Sequence, residues 1–182
     1  MSPTAFARLA YVALYGAIGA SFPYLSVFYG SRGLDLATIG LLTSLAAGAG
    51  LVAAPLWGAV ADRFAGTRPV LSIAAVLAAA GGVALALAHG PFAIAVAVVG
   101  MALAHSGLGP TLDARALETV RGNRDRYGGL RAWGSASFIV VVWGTGALIE
   151  RAGATSLFFV YVAAILVPVS YTHLTLPTIC SV

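Results

Sequence analysis

The feature that most constrains this chain is a succession of apolar runs about 20 residues long, separated by short charged or Gly/Pro punctuation. At 1.5 Å of rise per residue, a helix of about 20 residues crosses the roughly 30 Å hydrocarbon core of a bilayer. Lipid offers no partner for backbone N–H and C=O groups, so runs of this kind are read as helices that satisfy their own backbone. Composition agrees: 60% of the 182 residues are aliphatic or aromatic and 9% are charged. A water-soluble domain carries about 25% charged residues. So few charges could not cover a soluble fold, and the repetition of the runs excludes a single anchor.

The pattern predicts an all-α membrane bundle. Its helices run from about Phe6 to Tyr29, Leu36 to Ala61, Pro69 to Ala88 and Phe92 to Leu112, with an Arg-rich stretch from Asp113 to about Tyr127. A fifth helix then extends to about Leu148, and a sixth begins near Thr155. Asp62 to Arg68 reads as a charged loop, and His89, Gly90 and Pro91 as a tight turn. The first run is too long to be a cleavable leader with a short apolar core, so no signal peptide is expected.

All ten basic residues are arginine, and the formal charge is +4. Nucleic-acid binding would require a basic stripe with interleaved aromatics, and none is present. The arginines instead sit between the apolar runs. With the N-terminus in the cytoplasm, eight fall on the inside and two, Arg32 and Arg151, on the outside. That asymmetry is the positive-inside signal of a multi-pass protein in the cell (inner or plasma) membrane, and it survives if Arg131 is counted within the membrane.

The C-terminal residues have a different origin. VSYTHLTLPT, Val169 to Thr178, resembles the translated end of a transposase sequencing adapter. Residues 1–168 are therefore read as the transmembrane bundle and 169–182 as a tail that carries no native information. The sole cysteine, Cys180, and His173 lie in that tail, so no disulfide or metal site is built on them. The sixth helix then keeps about 13 native residues, roughly 20 Å, too short to span unaided.

Small residues are dense within the spans, as at Gly16 with Ala20, Ala46 to Gly50, Gly100 with Ala104, and Gly144 with Gly146. They let helix backbones approach closely where lipid supplies no hydrophobic drive to association. There is no Walker pattern, HExxH pair or nucleophile with a base, so an intramembrane enzyme, direct ATP coupling and a cofactor are not expected.

The segment GAVADRFAGTR, Gly58 to Arg68, resembles the signature between the second and third helices of the major facilitator superfamily. Gly58, Asp62, Arg63, Gly66 and Arg68 match its pattern, with one extra residue before Gly66. The resemblance implies the N-terminal half of a twelve-helix transporter, itself a 3+3 inverted repeat. It also implies that Asp62, Arg63 and Arg68 belong to a cytoplasmic latch, with Gly58 as its close-packing point. A carboxylate at a helix end can accept hydrogen bonds from an Arg or a helix N-terminus of the other half.

FPYLSVFY, the IG at Ile39, PLWG and YGGLRAWGS together resemble the branch containing lactose permease and the phenylpropionate-type transporters. In that branch an acid on the fourth helix precedes an Arg on the fifth by 18 positions, and both help form the substrate site. Asp113 and Arg131 have this spacing, and Phe138 falls where the permease has an aromatic that stacks on substrate. An intramembrane charge costs at least about 2.5–3.5 kcal/mol and is usually paired or in a wet cavity. The bland alternatives are a snorkelling arginine and a solvated loop acid.

His105 is a candidate proton relay, since histidine titrates near neutral pH, although a hydrogen-bonded packing role is commoner. Tyr11 and Tyr15 share one helix face and could line a cavity, while Trp57 and Trp143 read as packing or interface anchors.

The expectation is a secondary active transporter working by alternating access, a proton-coupled symporter of a small organic acid. The alternatives are a sugar or nucleoside symporter of the same fold and a noncatalytic membrane scaffold. Its partners would be a small-molecule substrate, protons, the bilayer and the missing C-terminal six-helix half, but no nucleic acid. The principal proton-handling residues of the permease belong to that missing half, and alone this chain should not transport.

Overall fold

The computed structural model describes residues 3–63, 67–121 and 123–174. It is a bundle of helices, with no strand among the described residues. Span 1 is α1 (Pro3–Ser21), a single 3-10 turn at Phe22–Tyr24, and α2 (Leu25–Ser31). Spans 2 and 3 are α3 (Leu36–Arg63) and α4 (Thr67–Leu87). Span 4 is split into α5 (Pro91–His105) and α6 (Leu108–Thr119). Span 5 is the unbroken α7 (Arg124–Ala152), and span 6 is α8 (Leu157–Leu174), entered through a 3-10 turn. Five of the spans are long and apolar enough to cross a membrane, while the apolar stretch of the sixth, Ala154–Val167, is shorter.

Three expectations about boundaries change. Pro23 lacks a backbone N–H, so the first helix breaks at Phe22–Tyr24 where a continuous helix to Tyr29 was expected. Asp113 does not open a charged loop: it lies inside α6, which continues to Thr119. On the far side of the connection, α7 begins at Arg124, capped by the Asn123 side chain accepting from the Arg126 N–H at 3.1 Å. The connection is therefore only a few residues long, and Arg121 turns the chain with φ 53°, a position that usually favours glycine.

The spans pack as two matching sets of three. Span 1 packs on span 5 as span 4 packs on span 2; span 3 meets span 4 as span 6 meets span 1; spans 3 and 6 face each other across the centre. Exchanging spans 1–3 with 4–6 leaves this pattern unchanged, which is the contact signature of the expected internal repeat. The tightest seam joins α1 and α7, running in parallel. A Cβ on Gly16 would lie 3.1 Å from Ser137 Oγ, and one on Gly19 would lie 2.9 Å from the Phe138 carbonyl oxygen. Ser137 Oγ donates to the Val12 carbonyl at 2.7 Å, and Tyr24 Oη to the Val142 carbonyl at 2.8 Å. Small residues bring the backbones together, and hydroxyls then reach across to carbonyls.

At the opposite end, Arg32 donates to the Ala86 carbonyl at 2.6 Å, tying the end of span 1 to the end of α4. Asp35 caps α3 by accepting from the Thr38 N–H at 3.2 Å, and hydrogen bonds from the Thr38 side chain and then its N–H hold the carboxyl below the usual range.

Candidate functional site

Three spans bring the acid and the base to one place. Asp113 projects from α6 and is half-buried; its Oδ1 accepts a hydrogen bond from Tyr11 Oη of α1 at 2.5 Å. Tyr11 is itself only 1% exposed, so this bond is made inside the bundle. One turn further along α1, Tyr15 Oη accepts from Arg131 of α7 at 2.9 Å. Arg131 also donates to Tyr127 Oη at 3.4 Å, and its guanidinium lies 5.9 Å from the centre of the Tyr127 ring. The Tyr11 and Tyr15 rings stand 6.2 Å apart. Tyr11 also hydrogen-bonds to Tyr127, so Asp113 and Arg131 form a bridged pair in which the Tyr11 and Tyr127 hydroxyls run from carboxylate to guanidinium and Tyr15 holds the guanidinium from the side.

This geometry follows from helical spacing. Tyr11 and Tyr15 are four apart on α1, as are Tyr127 and Arg131 on α7, so each pair shares a face. Gly134 is what lets the faces meet, because a Cβ there would lie 2.8 Å from the Tyr15 ring. The three tyrosines are the residues that the acid–base spacing alone missed, although the shared face of Tyr11 and Tyr15 was the available signal. Arg131 is exposed and makes two hydrogen bonds within the bundle, fewer than its five N–H donors.

Phe138 lies two turns beyond Arg131 on the same face of α7, about 10 Å along the axis. It is half-buried, with its ring and carbonyl against Gly19. His105 ends α5 and faces span 6: its Nδ1 lies 3.2 Å from Tyr161 Oη and the rings stack at 6.0 Å.

The latch candidates are elsewhere, at the end of α3. Asp62 and Arg63 are exposed and make no ion pair among the described residues. Gly58 is exposed as well, and a Cβ there would meet no atom within 4 Å among the described residues, so none of them packs closely on it. Gly66 and the Arg68 side chain lie outside the described residues. No cluster of three metal-ligating side chains occurs among the described residues.

Comparison with known proteins decides the family. The profile of the MFS_1 like family matches residues 7–180. The chain belongs to this family of major facilitator transporters. The maltose permease of Geobacillus stearothermophilus is 35% identical over 159 residues, which is 87% of this chain and 40% of the permease. Two crystal structures of the nucleoside transporter NupG, one of a point mutant, share the fold. The mutant superposes with a TM-score of 0.85 at 19% identity, and the other with 0.83 at 20%. Each match covers 98% of this chain and 45% of the NupG chain. The chain therefore spans less than half the length of these relatives. It is a multi-pass membrane protein of a transporter family, with the architecture of an N-terminal half.

Proposed function

We propose that this chain is the N-terminal bundle of a secondary active transporter that moves a small solute by alternating access, with the tyrosine-bridged Asp113–Arg131 pair as its half of the substrate site. The bridge itself carries the reading, because three spans from both halves of the internal repeat converge on it. Isolated charges in a membrane are costly, and a pair linked by hydroxyls is stable without solute yet can exchange those hydroxyls for those of a substrate.

The same geometry favours a neutral, hydroxyl-rich solute, a sugar or nucleoside, over the organic acid expected from sequence. Asp113 supplies acceptors and Arg131 supplies donors, and their charges cancel, so a polyhydroxylated molecule satisfies both at once. A carboxylate would suit Arg131 alone and would be repelled by Asp113. The relatives point the same way, one being a maltose permease and the other a nucleoside transporter. Proton coupling, a cytoplasmic N-terminus and a latch at Asp62, Arg63 and Arg68 complete the reading. They rest on family resemblance and on the arginine asymmetry.

The test is uptake by the full-length transporter of labelled sugars, nucleosides and organic acids, with and without a protonophore. Competition by hydroxylated neutral solutes and collapse of accumulation with the protonophore are expected. Competition confined to carboxylates would restore the organic-acid reading.

A further inference from the structure

A second site lies on the other side of the bundle. Spans 2 and 3 both pack on α5, but they barely touch each other, so α3 and α4 splay to leave a groove of about 660 Å³ floored by α5. The floor is made of small residues, among them Ala97, Gly100 and Ala104; the walls are Leu56, Val60 and Leu77, all well exposed. Trp57, the one lining side chain with an N–H, already donates it to the Leu103 carbonyl at 2.7 Å. The groove thus asks for no polar partner. It runs from Ala53 to Val60 along α3, about 10 Å of helix, and sits within membrane-spanning segments.

We propose that this groove seats an acyl chain of an anionic phospholipid whose headgroup is held by Arg63. Arg63 lies seven residues beyond Leu56, two turns on and within about 20° of the same helix face, so the groove wall leads directly to a guanidinium. Arg63 is exposed and has no ion pair among the described residues, so whenever the latch proposed for it is open its donors are available to a phosphate. An aliphatic trough that leads to a guanidinium has the chemistry of one phospholipid chain with its phosphate.

Trp57 makes the proposal measurable. With Trp133→Phe and Trp143→Phe, it is the only tryptophan of the three in the chain. This single-tryptophan protein is reconstituted in zwitterionic vesicles that contain a small fraction of chain-brominated phospholipid. Brominated phosphatidylglycerol should quench Trp57 as though enriched about fivefold over the same fraction of brominated phosphatidylcholine, the factor one Arg supplies beside an anionic headgroup. Arg63→Gln should abolish that preference. Gly100→Leu puts a side chain into the groove at a position whose Cβ meets no atom within 4 Å, and should reduce quenching by both lipids. Ala84→Leu fills it from the α4 wall and guards against a fault in the first variant. Equal quenching by the two lipids in the parent would overturn the proposal, as would quenching unchanged by both filling variants. Loss of quenching at high protein density, with cross-linking between copies at the groove, would show a second copy there instead and overturn it too.

Discussion

Asp113 and Arg131 show how far residue spacing reaches. Their separation on two helices was legible, because an acid near the end of one apolar run and an Arg near the start of the next lie at the same membrane depth when the chain turns back. The hydroxyl bridge was not, because it depends on α1, which is distant in sequence, and on its rotation within the bundle. Tyr11→Phe removes a hydrogen bond to a charged acceptor and should cost about 1.5–3 kcal/mol in an unfolding titration in detergent. Tyr15→Phe frees one face of an exposed guanidinium and should cost less, about 0.6 kcal/mol, the average for hydrogen bonds within membranes. At Asp35 the sign of the pH effect is fixed. Its carboxyl is held below the ordinary value, so the cap on α3 is complete above the unfolded-state pKa and is lost as pH falls through the folded-state value. The protection factor of the Thr38 amide, its exchange rate divided out by the intrinsic rate at each pH, should fall on acidification; in Asp35→Ala it should be low throughout and lose that fall.

Element boundaries were the least legible part. Runs of charge mark where a helix leaves the hydrocarbon, not where it stops being a helix; α6 and α7 therefore extend through arginines that read as a loop. The seam between α1 and α7 was better foreshadowed, by Gly16, but which glycines matter is decided by what each faces. Gly134→Val would drive a side chain into the Tyr15 ring, 2.8 Å from its Cβ position, and should destabilise by about 1–3 kcal/mol while pulling Tyr15 off Arg131. Gly144→Ala, whose Cβ meets nothing within 4 Å, should be neutral in the same assay. Equal losses at the two positions would show that the seam is not set by these contacts.

At the scale of the molecule, the sequence shows six runs and an arginine asymmetry, and the fold adds the exchange symmetry between spans 1–3 and 4–6. Spans 2 and 5 are the least covered, each 11% buried over its most apolar window. Their exposed Leu51, Val52, Ile139, Val140 and Trp143 make a surface apolar enough to face either lipid or a second bundle. A rocking carrier needs two bundles around one midplane site. Expressed alone, the chain should insert and show no uptake above empty membranes. The most direct test of the account is uptake by the full-length transporter carrying Asp113→Asn or Arg131→Ala, at matched levels in the membrane. Loss of uptake in both variants with insertion unchanged is the predicted result, and transport at the parental rate in both would contradict the assignment of the site.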